Sequence, residues 1–354
     1  MSRLTTHTGR APRLIHTHAE QGHFVSAPAR LHLGFADLNG GLGRRFGSIG
    51  LAIGGLDAEV WAAPAAALRL EGLARERVEP IARRLLALAG GARGLHLVTH
   101  ALPPAHVGLG SGTQLALALA AAGAGALDLA HSARELAVLV GRGERSGIGI
   151  AAFEAGGFIV DGGRGPASTT PPVLARLNFP AAWRCVLLFD DHAQGLSGAP
   201  ERAAFATLPT MSATRAGRLA RTVLMGLLPA VAEEDFRAFS VHLAQIQILI
   251  GGYFAPKQGG IYTSARVGAA LLELSRTFGL PGIGQSSWGP TGFIFTPDPS
   301  VAQAVAAACG QWVSAGLRCQ IVTATNVGAR RTRGVQPPAG EGQTQWPQPV
   351  RPRV

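Results

Sequence analysis

Apolar residues alternate with other residues from Val25 to Leu33, and this period of two predicts a strand with one buried face. The glycine-rich run 39–43 that follows predicts a tight turn. Short apolar runs bounded by turn residues predict further strands at 50–53, 58–62, 95–99, 185–189, 292–296 and 318–323.

Other segments repeat their apolar residues every three or four positions, as amphipathic helices do. In residues 75–90, for example, Val78, Ile81 and Leu85 share one face. The same reasoning predicts helices at 113–123, 212–228, 232–250, 264–278 and 299–315. Helices that cross between short strands indicate an α+β fold. The pair Gly251-Gly252 is expected to end the helix at 232–250.

The 354 residues are enough for two lobes, each with its own core. We predict an N-terminal α+β domain over 23–175, which carries a phosphate-binding loop, and a C-terminal α+β sandwich over 176–328. Residues 1–22 are predicted to be a disordered leader. Residues 329–354 are predicted to be a disordered tail, because they are rich in Pro, Gln, Gly and Arg and cannot bury much apolar surface.

The formal net charge of +11 suggests a nucleic-acid partner until its distribution is considered. Residues 1–45 hold six arginines against two acidic residues, and residues 328–354 hold five against one. The remainder therefore carries only about +3, without a basic stripe interleaved with aromatic residues. Solvated termini explain the charge more simply, so a nucleic-acid partner is not expected.

Cysteine content and hydropathy favour a cytoplasmic protein. Cys185, Cys309 and Cys319 are too widely spaced for a Cys-x-x-Cys metal site and too few for a closed disulfide set. The N-terminal residues lack the apolar core of a secretory signal. The most apolar run, 115–127, is too short to span a bilayer, so no membrane partner is expected. A homodimer is the expected assembly, since most soluble oligomers are symmetric and dimers are the commonest of them.

The strongest local signal for chemistry is the segment 103–114, Pro-Pro-Ala-His-Val-Gly-Leu-Gly-Ser-Gly-Thr-Gln. It lies between a predicted strand and a predicted helix, where glycines let backbone N–H groups converge and the helix N-terminus adds a positive dipole end. A phosphate suits such a cradle. The alternative is a glycine-rich turn that only starts a helix, with Ser111 and Thr113 as ordinary caps. The candidate phosphate-binding residues are Gly108, Gly110, Ser111, Gly112, Thr113 and Gln114.

This segment resembles the second motif of the GHMP kinases, Pro-x-x-x-Gly-Leu-Gly-Ser-Ser-Ala, from Pro104 to Ser111. It departs from the motif at Gly112, where the kinases have a second serine that helps to hold the metal and the nucleotide phosphates. Ser146-Gly147-Ile148-Gly149 is similar to a kinase segment that ends in a catalytic aspartate. Gly149 cannot act as a base, so the resemblance implies a retained phosphate cradle with a different reaction.

Three further stretches, 29–44, 251–262 and 282–292, together resemble the β-ribofuranosylaminobenzene 5'-phosphate synthases of the GHMP superfamily. The resemblance covers roughly residues 24–328 and implies a GHMP-kinase-like two-lobed α+β fold. It implies a decarboxylating phosphoribosyl transfer from phosphoribosyl pyrophosphate to 4-aminobenzoate, in tetrahydromethanopterin biosynthesis. Mg²⁺ would accompany the pyrophosphate. Pyridoxal phosphate is not required, because the ring itself stores the electrons.

Asp37 and Arg44 flank the glycine turn of the first of these stretches and are the predicted catalytic pair. Asp37 would accept or orient a proton or stabilise the cation, and Arg44 would bind pyrophosphate or the carboxylate. The alternative is a structural salt bridge across the turn. The remaining predicted substrate-binding residues are Arg30, His32, Ser146, Gln258, Gln285, Ser286, Ser287 and Trp288.

Two of these residues have simple structural explanations as well. His32 could be a satisfied core histidine, and hydrophobic packing accounts for Trp288 as well as stacking on the aromatic acceptor does. Two other functions are also compatible with the sequence. One is an ATP-dependent small-molecule kinase, disfavoured by Gly112 and Gly149, and the other is a catalytically silent binding protein on the same fold.

Overall fold

Strands and helices of an α+β fold follow one another along the chain in the computed structural model, which describes residues 21–336 except 92 and 196–197. In chain order they are β1 (Gln21–Asp37), β2 (Phe46–Ala65), β3 (Arg69–Gly72), α1 (Arg75–Leu88), β4 (Gly94–Ala101), α2 (Ser111–Ala126), α3 (Ala133–Leu139), α4 (Ile148–Ala155), β5 (Phe158–Asp161), β6 (Val173–Leu177), β7 (Arg184–Asp190), α5 (Gly198–Thr207), α6 (Ala213–Thr222), α7 (Leu228–Ala232), α8 (Phe236–Gln258), α9 (Ala265–Phe278), β8 (Ile283–Gln285), β9 (Gly292–Thr296), α10 (Pro299–Ala308), β10 (Leu317–Val322) and β11 (Arg330–Val335). A π-helical turn, Val223–Leu227, joins α6 to α7, and a 3₁₀ segment, Cys309–Ala315, follows α10.

The first sheet is built around the long antiparallel pair of β1 and β2. Its strand order is β11-β1-β2-β4-β3, with β5 paired to β2 and β6 paired to β5. Only β3 and β4 run parallel. The alternating residues of β1 are buried as the sequence predicts, and α2 packs on this sheet with nearly all of its Ala and Leu side chains enclosed.

The second sheet has the order β10-β7-β9-β8 and is antiparallel throughout. One face of β7 and β9 packs on α9 and α10 through Val186 and Ile294. The other face, with Leu187 and Phe293, joins a core that also contains Leu31 and other residues of the first sheet. The two sheets therefore share this core. Each lobe also has a buried cluster of its own, as the sequence predicted: one between the first sheet and α1 and α2, and one between the second sheet and α9 and α10.

Most predicted elements are present, with two informative differences. The predicted strands at 50–53 and 58–62 are parts of the single strand β2, which crosses the intervening residues with a shift of register against β1. Gly251 and Gly252 do not end a helix but lie inside α8. A β-carbon on Gly251 would lie 2.7 Å from Cγ2 of Ile261, so glycine serves close packing here and not chain reversal.

Three predicted domain limits are wrong where the structure describes the chain. Gln21 and Gly22, assigned to the leader, begin β1. The predicted boundary at 175/176 falls inside β6, which belongs to the first sheet. Residues 330–335, assigned to the tail, form β11, whose backbone pairs with β1 and whose Gly334 carbonyl accepts from Nε1 of Trp61 at 3.3 Å. The rest of the predicted leader and tail, 1–20 and 337–354, lies outside the described residues.

One described helix, α8, is long and apolar enough to cross a membrane by length and composition alone. It packs on β1 and β8, and Phe239, Leu243 and Ile246 on its inner face are fully buried. A core helix of a globular protein passes the same test, so this feature is weak evidence for a membrane span.

Candidate active site

Two glycine-containing loops meet where the sheets join. A β-carbon on Gly108 would lie 2.2 Å from the Ser286 carbonyl oxygen, and one on Gly289 would lie 2.3 Å from the Val107 carbonyl oxygen. Side chains at either position would collide with backbone, so glycine is required for the contact. The Ser286 hydroxyl donates to the Gly108 carbonyl at 2.8 Å, which adds a hydrogen bond between the two loops.

The strand β1 passes beneath both loops and binds each of them. Arg30 N–H donates to the Leu109 carbonyl at 3.1 Å. The register of β1 against β2 shifts after His32, and its N–H donates to the Ser286 hydroxyl at 2.9 Å. The carbonyl of His32 accepts from the N–H of Ser287 at 3.2 Å. One strand thus fixes the relative position of the loops from the two halves of the chain.

A cleft of about 790 Å³ opens above this junction. Gly110 has φ +71° and is the N-cap of α2, whose first turn lies in the cleft wall. The first N–H groups of a helix have no acceptor within the helix. The N-cap Gly110 has no side chain, and no side-chain hydrogen bond caps α2, so Ser111 and Thr113 do not act as caps. The predicted phosphate cradle is therefore a helix N-terminus that faces a cleft.

Positive charge is concentrated in this cleft. Its lining includes the five arginines Arg30, Arg77, Arg142, Arg145 and Arg164. The lining carboxylates are Glu144 and Glu201, and Glu201 accepts from Nη2 of Arg145 at 2.7 Å. The excess of guanidinium groups favours an anionic ligand with more than one negative charge.

Several polar atoms around the cleft are enclosed without a hydrogen-bond partner among the described residues: Arg30 Nε, His32 Nδ1, Ser48 Oγ and Trp288 Nε1. Arg30 also donates from Nη1 to the Gly108 carbonyl at 2.8 Å, and burial lowers its pKa to about 10. Burial, followed by the charges of Arg30 and Arg145, holds the pKa of His32 well below its ordinary value. His32 is therefore neutral near pH 7. Buried polar groups without a partner are uncommon in folded proteins, so four of them beside one cleft mark it as a candidate site.

Phe35, Phe46, Phe205 and Trp288 line the same cleft and form an aromatic wall. The ring centroids of Phe46 and Phe205 are 5.4 Å apart, and those of Phe205 and Trp288 are 5.3 Å apart, both in edge-on contacts. Cζ of Arg145 lies 5.8 Å from the Phe205 centroid. The cleft thus places a guanidinium group beside aromatic rings.

Backbone strain also collects at the cleft. Phe46, His106 and Ser287 have φ values of +83°, +61° and +58°, and all three line it. Non-glycine residues rarely adopt this left-handed region, and they do so most often at functional sites.

Ser146 lines the cleft just before the N-terminus of α4. Its hydroxyl is bound by the buried carboxylate of Asp161. Asp161 accepts from the Ser146 hydroxyl at 3.2 Å and from the N–H groups of Ser48, Gly147 and Gly163 at 2.7–2.9 Å. Burial raises the pKa of Asp161, and these hydrogen bonds oppose the rise. No sequence motif selects Asp161, which accepts hydrogen bonds from three segments around the cleft.

Gly149 lines the cleft from the first turn of α4. A β-carbon there would lie 3.0 Å from Cγ2 of Thr113, and the Gly149 carbonyl accepts from Nε2 of Gln114 at 2.9 Å. The position that matches the kinase aspartate therefore lies at the cleft. The packing of α4 against Thr113 of α2 leaves little room there for a side chain. Gln114 is fully buried and joins these helices, so it is not a lining residue.

The predicted catalytic pair is not brought together in the cleft, which corrects the expectation from the sequence. Oδ1 of Asp37 accepts from the N–H groups of Asn39 and Gly40 at 2.5 and 3.2 Å, as in an Asx turn. Arg44 donates to the carbonyls of Gly162 and Gly163 at 2.7 and 2.9 Å. Neither residue lines the cleft. The alternative, a salt bridge between them, is not formed either, because each side chain bonds to backbone groups instead.

Three other predicted residues also lie outside the cleft lining. Gln285 bonds to Thr263 N–H, Gln258 and the Ser287 carbonyl, and it lines a small cavity of about 10 Å³ beneath the site. Gln258 donates to carbonyls in the turn after α8. Ser286 is fully buried at the loop junction. These side chains form hydrogen bonds with the loops next to the site and do not reach the cleft.

The predicted residues that do line the cleft are Arg30, His32, Gly108, Gly110, Ser111, Gly112, Thr113, Ser146, Ser287 and Trp288. Trp288 is only 1% exposed, and its ring lies 4.2 Å from that of Phe254, so packing accounts for most of its surface. Sequence reasoning missed Arg77, Arg145 and Arg164, which stand in no motif.

Comparison with known proteins identifies the fold. Residues 76–157 match the family model described as GHMP kinases N terminal domain. A homoserine kinase from Cytophaga hutchinsonii superposes with a TM-score of 0.61 at 18% identity, covering 91% of this chain and 100% of that one. A mevalonate diphosphate decarboxylase from Staphylococcus aureus gives 0.62 at 15% identity, covering 88% and 98%. These likenesses confirm the predicted GHMP-kinase-like α+β fold.

Sequence relatives are more specific. A beta-ribofuranosylphenol 5'-phosphate synthase from Methanothermobacter thermautotrophicus is 34% identical over 310 residues, or 81% of this chain and 93% of the relative. The protein of the same name from Archaeoglobus fulgidus is 32% identical over 326 residues, or 88% and 98%. With this identity over nearly the full length of both relatives, the chain is an enzyme that belongs to the β-ribofuranosylphenol 5'-phosphate synthase family within the GHMP kinase fold.

Proposed function

We propose that this enzyme transfers the phosphoribosyl group of phosphoribosyl pyrophosphate to a benzoate with an electron-releasing group in the 4-position, with loss of carbon dioxide and pyrophosphate. The observation that supports this most directly is the composition of one cleft, which joins an arginine-rich helix N-terminus to an aromatic wall. A polyanionic sugar and an aromatic acid need those two surfaces side by side.

The donor would lie at the end of the cleft formed by α2. Charge grows on the pyrophosphate oxygens as the C1–O bond breaks, and preorganised N–H groups and guanidiniums stabilise that charge. Ribose C1 acquires oxocarbenium character in the same step. The neutral His32 beneath the site adds no positive charge that would oppose this cation.

The acceptor would pack on Phe35, Phe46 and Phe205, with Arg145 at its carboxylate. Its ring carbon that bears the carboxylate forms the new bond to C1. The bond to the carboxylate then breaks, and its electron pair restores the aromatic ring. The electrons come from the ring and its 4-substituent, so this chemistry needs no pyridoxal phosphate.

Both an amine and a hydroxyl release electrons to the ring carbon opposite them. The resemblance noted in the sequence implies 4-aminobenzoate, which we propose as the acceptor, in tetrahydromethanopterin biosynthesis. The names of the relatives refer to a ribofuranosylphenol, which has the hydroxyl. 4-Hydroxybenzoate is therefore the acceptor against which 4-aminobenzoate has to be compared.

Mg²⁺ is proposed to enter with the donor. Within the described residues no group of three or more His, Cys, Asp or Glu side chains could hold a metal. Mg²⁺ often binds through one or two carboxylates together with substrate phosphates, and Glu144 in the cleft lining fits that role. The bound ion would neutralise part of the charge on the leaving pyrophosphate.

Incubation of the enzyme with phosphoribosyl pyrophosphate, Mg²⁺ and carboxyl-labelled 4-aminobenzoate tests the proposal. We expect labelled carbon dioxide and pyrophosphate in equal amounts, and labelled 4-hydroxybenzoate run in parallel compares the two acceptors by kcat/KM. Release from neither acceptor refutes decarboxylating transfer. Faster release from 4-hydroxybenzoate keeps the reaction and replaces the acceptor. Phosphorylation of a small alcohol by ATP would favour the kinase alternative.

A further inference from the structure

Two arginines from different helices meet above one glycine of the cradle. Arg77 comes from the first turn of α1, and Arg142 follows α3. A β-carbon on Gly112 would lie 3.6 and 3.7 Å from Nη2 and Nη1 of Arg142, and 3.7 Å from Nη2 of Arg77. Both guanidiniums therefore reach the same point at the N-terminal end of α2.

No described residue neutralises the two guanidiniums at this point: neither side chain makes a hydrogen bond or an ion pair with the residues that the structure describes. Burial, and next the charge of Arg142, lowers the pKa of Arg77, while neighbouring Glu76 opposes the fall. Of the carboxylates in the cleft, Glu201 is already paired with Arg145. Two like charges and a helix dipole end are thus directed at one place, an arrangement that a bound anion would stabilise.

We infer that Arg77 and Arg142 bind one phosphoryl group of the sugar donor over Gly112, in the place where GHMP kinases have a serine. The inference rests on the proposed function for the identity of the donor. The absent side chain at 112 leaves room for the phosphoryl oxygens, and two planar guanidiniums offer paired N–H donors to them. The group is either the 5'-phosphate or part of the pyrophosphate, and the two are separable with simple probes.

Calorimetric titration with inorganic pyrophosphate and with ribose 5-phosphate tests this assignment. Arg77→Gln and Arg142→Gln are each expected to weaken the binding of at least one probe by about tenfold or more. Arg75→Gln and Arg134→Gln are matched controls, because each removes the same charge from an exposed position of α1 or α3 outside the cleft lining. They should stay within about twofold of the unaltered enzyme.

The probe that responds identifies the phosphoryl group. Equal affinity in all four variants, or no binding of either probe to the unaltered enzyme, overturns the inference. The titration needs no acceptor. An enzyme that binds pyrophosphate through these arginines but releases no carbon dioxide would therefore keep this inference and lose the proposed function.

A substitution at Gly112 gives a second, independent test. Gly112 has ordinary helical geometry, and the nearest atoms to an added β-carbon lie at van der Waals distance, so a side chain fits. Gly112→Asp would place a carboxylate between the guanidiniums as an internal competitor for the anion. We expect probe binding at least about tenfold weaker than in the isosteric Gly112→Asn, with a melting temperature equal to or above that of Asn. Probe affinity in Gly112→Asp equal to that in Gly112→Asn and to that of the unaltered enzyme would remove the two arginines from the site.

Discussion

At the scale of single residues, the site depends on positions where a side chain is missing. Gly108 and Gly289 let two backbones touch, and Gly112 leaves open the point to which two guanidiniums are directed. Gly149 lies where a kinase would present its base. The sequence therefore shows that the motif is rich in glycine. It does not show why each glycine is needed, because the atoms that would collide with a side chain belong to residues distant in the chain.

Arg44 lies outside the cleft lining but contacts a loop that contributes to it, so its substitution measures how much such a residue contributes to catalysis. Its guanidinium bonds to the carbonyls of Gly162 and Gly163, next to Arg164 in the cleft lining. Arg44→Lys loses the planar fork, so we expect the apparent KM for the donor to rise about tenfold while kcat stays within about threefold. Steady-state kinetics with Arg69→Lys as an exposed control measure this. A fall of about 100-fold in kcat would restore Arg44 to the reacting groups.

Asp37 is expected to tolerate loss of its charge. In Asp37→Asn the amide oxygen can still accept from Asn39 and Gly40 N–H, so the turn is retained. Turnover should stay within about threefold of the unaltered enzyme and the melting temperature within about 2 °C. If turnover instead falls by about 100-fold at an unchanged melting temperature, the charge itself takes part in the reaction.

At the scale of elements, β11 is one of the strands that the hydropathy pattern does not reveal. Its residues Arg-Arg-Thr-Arg-Gly-Val are mostly exposed, because an edge strand is held by backbone hydrogen bonds and is often charged. Ending the chain at Ala329 would leave the outer edge of β1 unpaired and remove the acceptor of Trp61 Nε1.

We expect the truncation at Ala329 to destabilise the protein by several kcal/mol, on the order of 1 kcal/mol for each hydrogen bond lost. Thermal denaturation measures the effect. A chain ending at Gln336, which retains β11, is the control and should melt within about 2 °C of the full chain. Equal melting temperatures for both truncations would mean that β11 contributes nothing to stability.

Periodicity in the sequence predicted the elements whose burial is one-sided or complete. β1, α1, α2, α9 and β9 fall close to their predicted limits. Periodicity failed where a residue distant in the chain determines how far an element extends. The strand β2 continues past two glycines because β1 pairs with it. The helix α8 continues through Gly251 because Ile261 packs against that position. The loop residues of the site were predictable from the glycine motif. The arginines that complete the site were not, since a surface arginine and a ligand-binding arginine look alike in sequence.

At the scale of the whole molecule, the shared core decides how the protein unfolds. Leu31 and Phe158 of the first sheet belong to the same cluster as Leu187 and Phe293 of the second. We therefore expect one cooperative transition in urea. Hydrogen exchange followed by mass spectrometry should show β4 and β9 losing protection at the same denaturant concentration. Two separate midpoints would show that the lobes are independent folding units.

The contact between Gly149 and Thr113 also has an evolutionary meaning. A β-carbon at 149 would approach Cγ2 of Thr113 to 3.0 Å, closer than side chains normally pack. A mutation that restored a carboxylate at 149 would therefore meet resistance until residue 113 became smaller. The two positions are expected to be epistatic. A smaller residue at 113 is therefore expected to make a carboxylate at 149 easier to accommodate.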